Sequence, residues 1–132
     1  MHHPKLEFWE KHLVKLINEL DDFLEEKYKG EFKLHPARRK RGKTVSKAQD
    51  GLFNIAANFS LGIGSKFGRG YVVDVHLATL EKVPSEIQKK IIEDALLKIN
   101  DLLPKYFPGK KLNVDRDGKV IKIYGDLSLG KV

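Results

Sequence analysis

Residues 50 to 80 constrain the fold more than any other stretch of the chain. They read Asp-Gly, then LFNIAANFSL, then GIGSKFGRG, then YVVDVHLATL. The two outer runs alternate apolar and polar positions, the period of a half-buried strand. Glycines at 62, 64, 68 and 70 supply the positive φ angles and close backbone approach that a connection between antiparallel strands uses. The stretch therefore predicts a β-hairpin with a long glycine-rich tip. By the two-residue period, Phe53, Ile55, Ala57, Phe59 and Leu61 share a face. Tyr71, Val73, Val75 and Leu77 form the matching face of the second strand.

The opposite side of that hairpin gathers Asn54, Asn58, Ser60, Asp74 and His76, set among Leu52, Ala56, Val72, Ala78 and Leu80. One third of the chain is charged, so an ordinary solvated face would carry Lys, Glu and Thr. Short polar groups without long charges point either to a covered surface or to a plain solvent face. A ligand floor and a homodimer contact are the two forms a cover can take.

The flanks read as helices. In Pro4 to Tyr28, Leu6, Leu13 and Leu20 recur every seven residues, with Trp9, Leu16 and Phe23 between them. Ile17 and Leu24 widen that stripe, so packing on a sheet is favoured over a zipper. Gly30 is a natural stop. Ser85 with Gln88 forms a capping-box pattern before Ile91, Ile92, Ala95, Leu96, Ile99, Leu102 and Leu103, and Pro104 marks the end region. Asp117-Gly118, flanked by residues 111–116 and 119–124, signals a second hairpin. Glu31 to Leu34 fits a short edge strand. The expected architecture is α+β: a mostly antiparallel sheet of four or five strands with two helices on one face, in the order α-(β)-β-β-α-β-β. At 132 residues the chain fits one domain, 1–132.

Charge and composition narrow the function classes. The net charge is +7, from 25 basic and 18 acidic residues. Such a balance fits nucleic acid or another phosphate-bearing partner, and equally the ion-paired surface of a protein from a hot environment. The absence of cysteine removes disulfides, thiolate zinc sites and thiol nucleophiles, and leads us to expect a cytoplasmic protein. No apolar run approaches the ~20 residues that span a bilayer, so no membrane partner is expected.

Arginine placement says more than net charge. Three of the five arginines, Arg38, Arg39 and Arg41, stand together with Lys43, and Arg69 lies in the glycine loop. Guanidinium suits bidentate phosphate contacts. A connection as long as residues 35–49 is either functional or a solvated linker. The candidate anion site thus comprises Arg38, Arg39, Arg41 and Lys43 with Gly62, Gly64, Ser65, Lys66, Gly68, Arg69 and Gly70, whose backbone N–H groups can form an anion nest.

None of the familiar nucleotide loops fits. The protein-kinase loop has its third glycine one residue earlier, and no HRD or DFG motif follows here. A Walker loop needs Gly-Lys-Ser/Thr at a strand-to-helix junction, and a Rossmann fingerprint needs a helix where this chain has a strand. Double-stranded-RNA-binding domains share only an approximate element order, because Gly64-Ser65-Lys66 falls in the inter-strand loop.

Asp74 and His76 point the same way on one strand, so a carboxylate can orient an imidazole as a general base. No histidine and carboxylate spacing suggests a metal, and no motif names a cofactor. Three readings follow. The first is a binding module for nucleic acid or a nucleotide. The second is a structural domain that dimerises through its sheet face. The third is an enzyme using Asp74 and His76.

Overall fold

The computed structural model describes residues 4–32, 51–62 and 68–125, with side chains from residue 8 onward. Helix α1 spans Pro4–Lys27, and a hairpin follows with β1 at Phe53–Ser60 and β2 at Gly70–Leu77. Helix α2 covers Ser85–Tyr106, and a second hairpin holds β3 at Leu112–Asp117 and β4 at Val120–Gly125. The four strands form one antiparallel sheet in the order β1-β2-β4-β3. The expected α+β architecture is the one observed. Of the expected strand at 31–34, Glu31 and Phe32 form a turn and a bend. The Glu31 N–H donates back to the Tyr28 carbonyl at 3.1 Å, closing a turn where an extended strand would run on. Residues 33 and 34 lie outside the described residues.

The core follows the predicted periods. Trp9, Leu13, Leu16, Leu20 and Leu24 recur three or four residues apart along α1 and are all buried. Ile91, Ala95, Ile99, Leu102 and Leu103 do the same on α2. Both stripes meet one sheet face, built from Phe53 and Ile55 of β1, Tyr71 and Val73 of β2, Ile121 and Ile123 of β4, and Val114 of β3. Helix α1 lies over β1, and α2 over β3 and β4. Trp9 stacks on Phe107 at 4.4 Å and lies 6.0 Å from Tyr71, tying the end of α2 through α1 to the sheet.

The helices run antiparallel and are joined at two points. Near the end of α1, Tyr28 donates to Asp94 Oδ2 at 2.5 Å, and Lys27 stands 3.3 Å from Oδ1 of the same carboxylate. Two and a half turns back, Glu19 Oε1 accepts from Lys105 Nζ at 2.6 Å and from the Tyr106 hydroxyl at 2.7 Å.

The start of α2 differs from the expected capping box. Its N-cap residue is Pro84, and no side chain caps the first turn. Ser85 is the first helical residue, one position too late to act as cap. The Gln88 amide turns back to the Val83 carbonyl at 3.1 Å instead. Proline, with φ already fixed near −57°, sets the entry of the helix that the capping box was expected to set.

Candidate functional site

Two sheet features position the polar residues singled out from the sequence. The first is the hydrogen-bond phase of β1 and β2. Phe53 pairs with Leu77, and the Ala78 N–H continues that register by donating to the Leu52 carbonyl at 2.6 Å. In an antiparallel ladder such bonds recur at every second pair. Residues 54, 56, 58 and 60 therefore direct their N–H and C=O groups at β2, and 72, 74 and 76 direct theirs at β1. Residues 71, 73, 75 and 77 face the other edge of β2.

The second feature is where β4 stops. It pairs with β2 only at Tyr71, Val72 and Val73. Beyond Val73, the half-strand 74–77 keeps β1 on one side and, among the described residues, has no strand on the other. The main-chain groups of Val75 and Leu77 thus open sideways into a groove of about 560 Å³. The first turns of α2 form one wall with Gln88, Lys89 and Ile92, and the tip of the β3–β4 hairpin forms the opposite wall with Arg116 and Lys119. Arg116 is held in place by its own turn, with Nε donating to the Gly118 carbonyl at 2.8 Å.

Asp74 and His76 stand at this groove with their side chains on the sheet face turned away from the helices. His76 Nε2 lies 3.0 Å from Asp74 Oδ2, and both groups are open to solvent, the imidazole more so. The pair is thus in contact, as its spacing on one strand predicts. Glu81 also lines the groove, so its three cations face two carboxylates, one of them already engaged by His76.

The remainder of the expected polar face is placed as follows. Asn54 pairs with His76, and Asn58 with Val72. Asn54 and Asn58 are exposed and Ser60 half-buried, so these groups meet solvent. Ser60 Oγ accepts from the Gly62 N–H at 3.1 Å, which gives it a role in the turn. The same face also carries Lys122 of β4, paired with Val72 and with Asp115, and this lysine is only 1 % exposed. Alternation within Ile121-Lys122-Ile123 assigns Lys122 its side of the sheet, but no local pattern reveals its burial.

The described ends of the glycine loop, Gly62 and residues 68–70, sit at the far end of β2. Arg69 and His76 are seven residues apart along an extended strand, about 23 Å at ~3.3 Å per residue. Arg69 and the Asp74–His76 groove are therefore two places. Gly62 adopts φ +83°, and a Cβ there would lie 2.1 Å from the Gly68 carbonyl carbon, so the two ends of the loop are pinched backbone to backbone. At Gly70 a Cβ would lie 2.2 Å from the Ile123 carbonyl oxygen, a clash with the main chain of β4. Packing thus accounts for glycine at 62 and 70 without a ligand. Arg69 is exposed beside them. Arg38, Arg39, Arg41, Lys43, Gly64, Ser65 and Lys66 lie outside the described residues.

Among the described residues no cluster of His, Cys, Asp or Glu could hold a metal ion, and no helix is long and apolar enough to cross a membrane. Fold and groove together define a small α+β protein with a cationic cleft beside a half-paired central strand. The chain belongs to a family of uncharacterised proteins, whose model matches residues 4–125. It is 34% identical over 125 residues to an uncharacterised protein of Borreliella burgdorferi, covering 95% of this chain and 98% of that relative. No solved structure matches it.

Proposed function

We propose that this protein is a binding module for a phosphate-bearing ligand, nucleic acid or nucleotide, held in the groove along the open half of β2. One observation carries the reading: β2 loses its β4 neighbour after Val73, so main-chain groups at Val75 and Leu77 that have no strand partner among the described residues face Lys89, Arg116 and Lys119 across one cleft. Main-chain N–H donors together with lysine and arginine are what phosphate oxygens take up. The net charge of +7 draws polyanions toward the protein from a distance. The arginine-rich stretch at Arg38, Arg39 and Arg41 extends the proposal to a longer polyanion. Lacking cysteine, the chain suits the reducing cytoplasm in which such ligands abound.

Thermal shift and calorimetric titration at low salt with pyrophosphate, ATP and short single- and double-stranded RNA test this. A rise in melting temperature is expected for at least one of them. Arg116→Ala and Lys119→Ala should each weaken binding about tenfold, the equivalent of one charge-assisted hydrogen bond. If no ligand shifts the melt, or if both variants bind as the parent does, the groove is not the site.

The Asp74–His76 contact favours a second reading, hydrolysis of the bound phosphate ester with His76 as general base. It requires turnover of a chromogenic phosphate monoester that His76→Gln abolishes while ligand binding persists.

A further inference from the structure

The outer edge of the sheet carries a second interaction surface, independent of the groove. Strand β1 is terminal in the order β1-β2-β4-β3. The hydrogen-bond phase that turns its even residues toward β2 turns Phe53, Ile55, Ala57 and Phe59 outward. The first of these outward donors is met: Glu25 of α1 accepts from the Phe53 N–H at 2.8 Å and from the Leu52 N–H at 2.9 Å. The outward N–H and C=O groups of Ile55, Ala57 and Phe59 have no partner among the described residues.

Sheet proteins protect such an edge with lysine, proline, a bulge or a covering element. Strand β1 has none of the residue devices: its sequence, FNIAANFS, carries no charge and no proline across eight residues. In a chain one-third charged, eight consecutive uncharged positions on an edge are an exception. Phe59 heightens it, being 52% exposed although it lies on the face that packs the helices.

We infer that β1 is the contact through which two copies of this chain pair edge to edge, joining their sheets into one antiparallel sheet of eight strands. The open groups fix the register. Ala57 pairs with Ala57 of the partner subunit across the two-fold axis, and Ile55 pairs with the partner's Phe59 on either side. Each of these three pairs exchanges two main-chain bonds, so about six hydrogen bonds form. Even residues follow on the outer face, Asn54 opposite the partner's Ser60 and Ala56 opposite the partner's Asn58. The register is self-complementary, as a two-fold contact must be. It sets only alanines at the axis and gives exposed Phe59 a β-branched neighbour on the helix side, a favourable cross-strand pair.

Helix α1 supports the same axis. It runs antiparallel to β1, with Glu25 near Phe53 and Trp9 near Tyr71, the partner of Phe59. Val14 precedes Glu25 by eleven residues, about three helical turns, so it lies on the same stripe, overhanging the open edge. The rise along α1 from Glu25, about 16 Å, carries Val14 to the level of Ala57. Val14 is 58% exposed, an isolated apolar group that meets its counterpart across the axis. Charge favours a second copy over other occupants. Two molecules each carrying +7 can approach closely only through an uncharged strip, and β1 is such a strip. The face-to-face dimer expected from the sequence would instead bury exposed Asn54, Asn58 and His76.

Sedimentation equilibrium of the full chain, from micromolar to about 1 mM, reads this directly. The expected result is a mass rising from 15.1 kDa toward twice that value. Two variants lower the association at least tenfold while the monomer stays folded by circular dichroism. Ala57→Pro removes the outward N–H without touching a β1–β2 bond, and Val14→Glu sets two carboxylates across the axis. Amide exchange in concentrated wild-type protein separates the edge from any other contact. The amides of Ile55, Ala57 and Phe59 become protected, and in Val14→Glu they exchange fast while those of residues 54, 56 and 58 stay slow. A monomer at every concentration overturns the inference, and so does a dimer in which the three odd-numbered amides remain unprotected.

Discussion

At the scale of single residues, the positions that hold the fold are those whose neighbours are main chain or buried charge. Gly70 is one. A methyl group there meets the Ile123 carbonyl at 2.2 Å, and backbone of a central strand cannot swing aside as a side-chain tip can. Gly70→Ala should destabilise by about 1–3 kcal/mol, read from the urea midpoint, and should loosen β4 from β2. Tyr28 is another. Burial and, after it, the hydrogen bond to Asp94 push its phenol above the usual value of 10.0. A raised folded value means that stability is intact below pH 10.0 and falls as pH climbs past it, because the unfolded chain ionises first. Tyr28→Phe should remove that alkaline decline and cost about 1.5–3 kcal/mol at neutral pH, when a charged acceptor loses its donor. Thermal melts across the alkaline range check both effects. Of these two residues, the sequence marks Gly70 only as part of the glycine-rich tip and its candidate anion nest. Its clash partner lies 53 positions away on another hairpin, so no local pattern could name it.

At the scale of elements, the two helices and two hairpins were legible because each announces itself locally. The α1 stripe repeats every three or four residues, β1 and β2 alternate, and Asp117-Gly118 turns the second hairpin. What was not legible is how far neighbouring elements pair. The groove exists because β4 parts from β2 after Val73, a matter of register between strands almost fifty residues apart. Hence Asp74 and His76 could be picked as a pair from their spacing, whereas Arg116 and Lys119 read only as residues flanking a turn. The contact between the helices is likewise long-range. Glu19 bonds Lys105 and Tyr106, and these two, Lys105 first, hold its carboxyl below the usual 4.5. A lowered folded value means that this contact stabilises the protein above pH 4.5, and the contribution is lost as pH falls through the lowered value. Glu19→Gln should lower stability at neutral pH, only modestly because the pair is solvent-screened, and leave it little changed in acid, which flattens the acid limb of the stability curve by the same amount. Urea midpoints compared between neutral pH and about pH 3 would show it.

At the scale of the whole molecule, the groove and the open edge lie on opposite sides of β2. The first borders its free half, and the second is one strand further out, about 5 Å away, beyond β1. Pairing through β1 leaves both grooves of a dimer open, so ligand binding and self-association are separable events. Salt should drive them in opposite directions. Binding of a phosphate-bearing polymer releases counterions, so its affinity falls steeply as salt rises. Two copies carrying +7 each repel one another through everything except the uncharged strip, and salt screens that repulsion between charges more than a Debye length apart, about 8 Å at physiological ionic strength. Between about 0.05 and 0.5 M salt, the RNA dissociation constant should therefore rise by orders of magnitude while the dimer constant holds steady or tightens. Sedimentation with and without a short RNA, in the same buffers, measures both. Should association weaken with salt in step with RNA binding, the copies are being bridged by the polyanion, and the contact between them is electrostatic rather than a shared sheet.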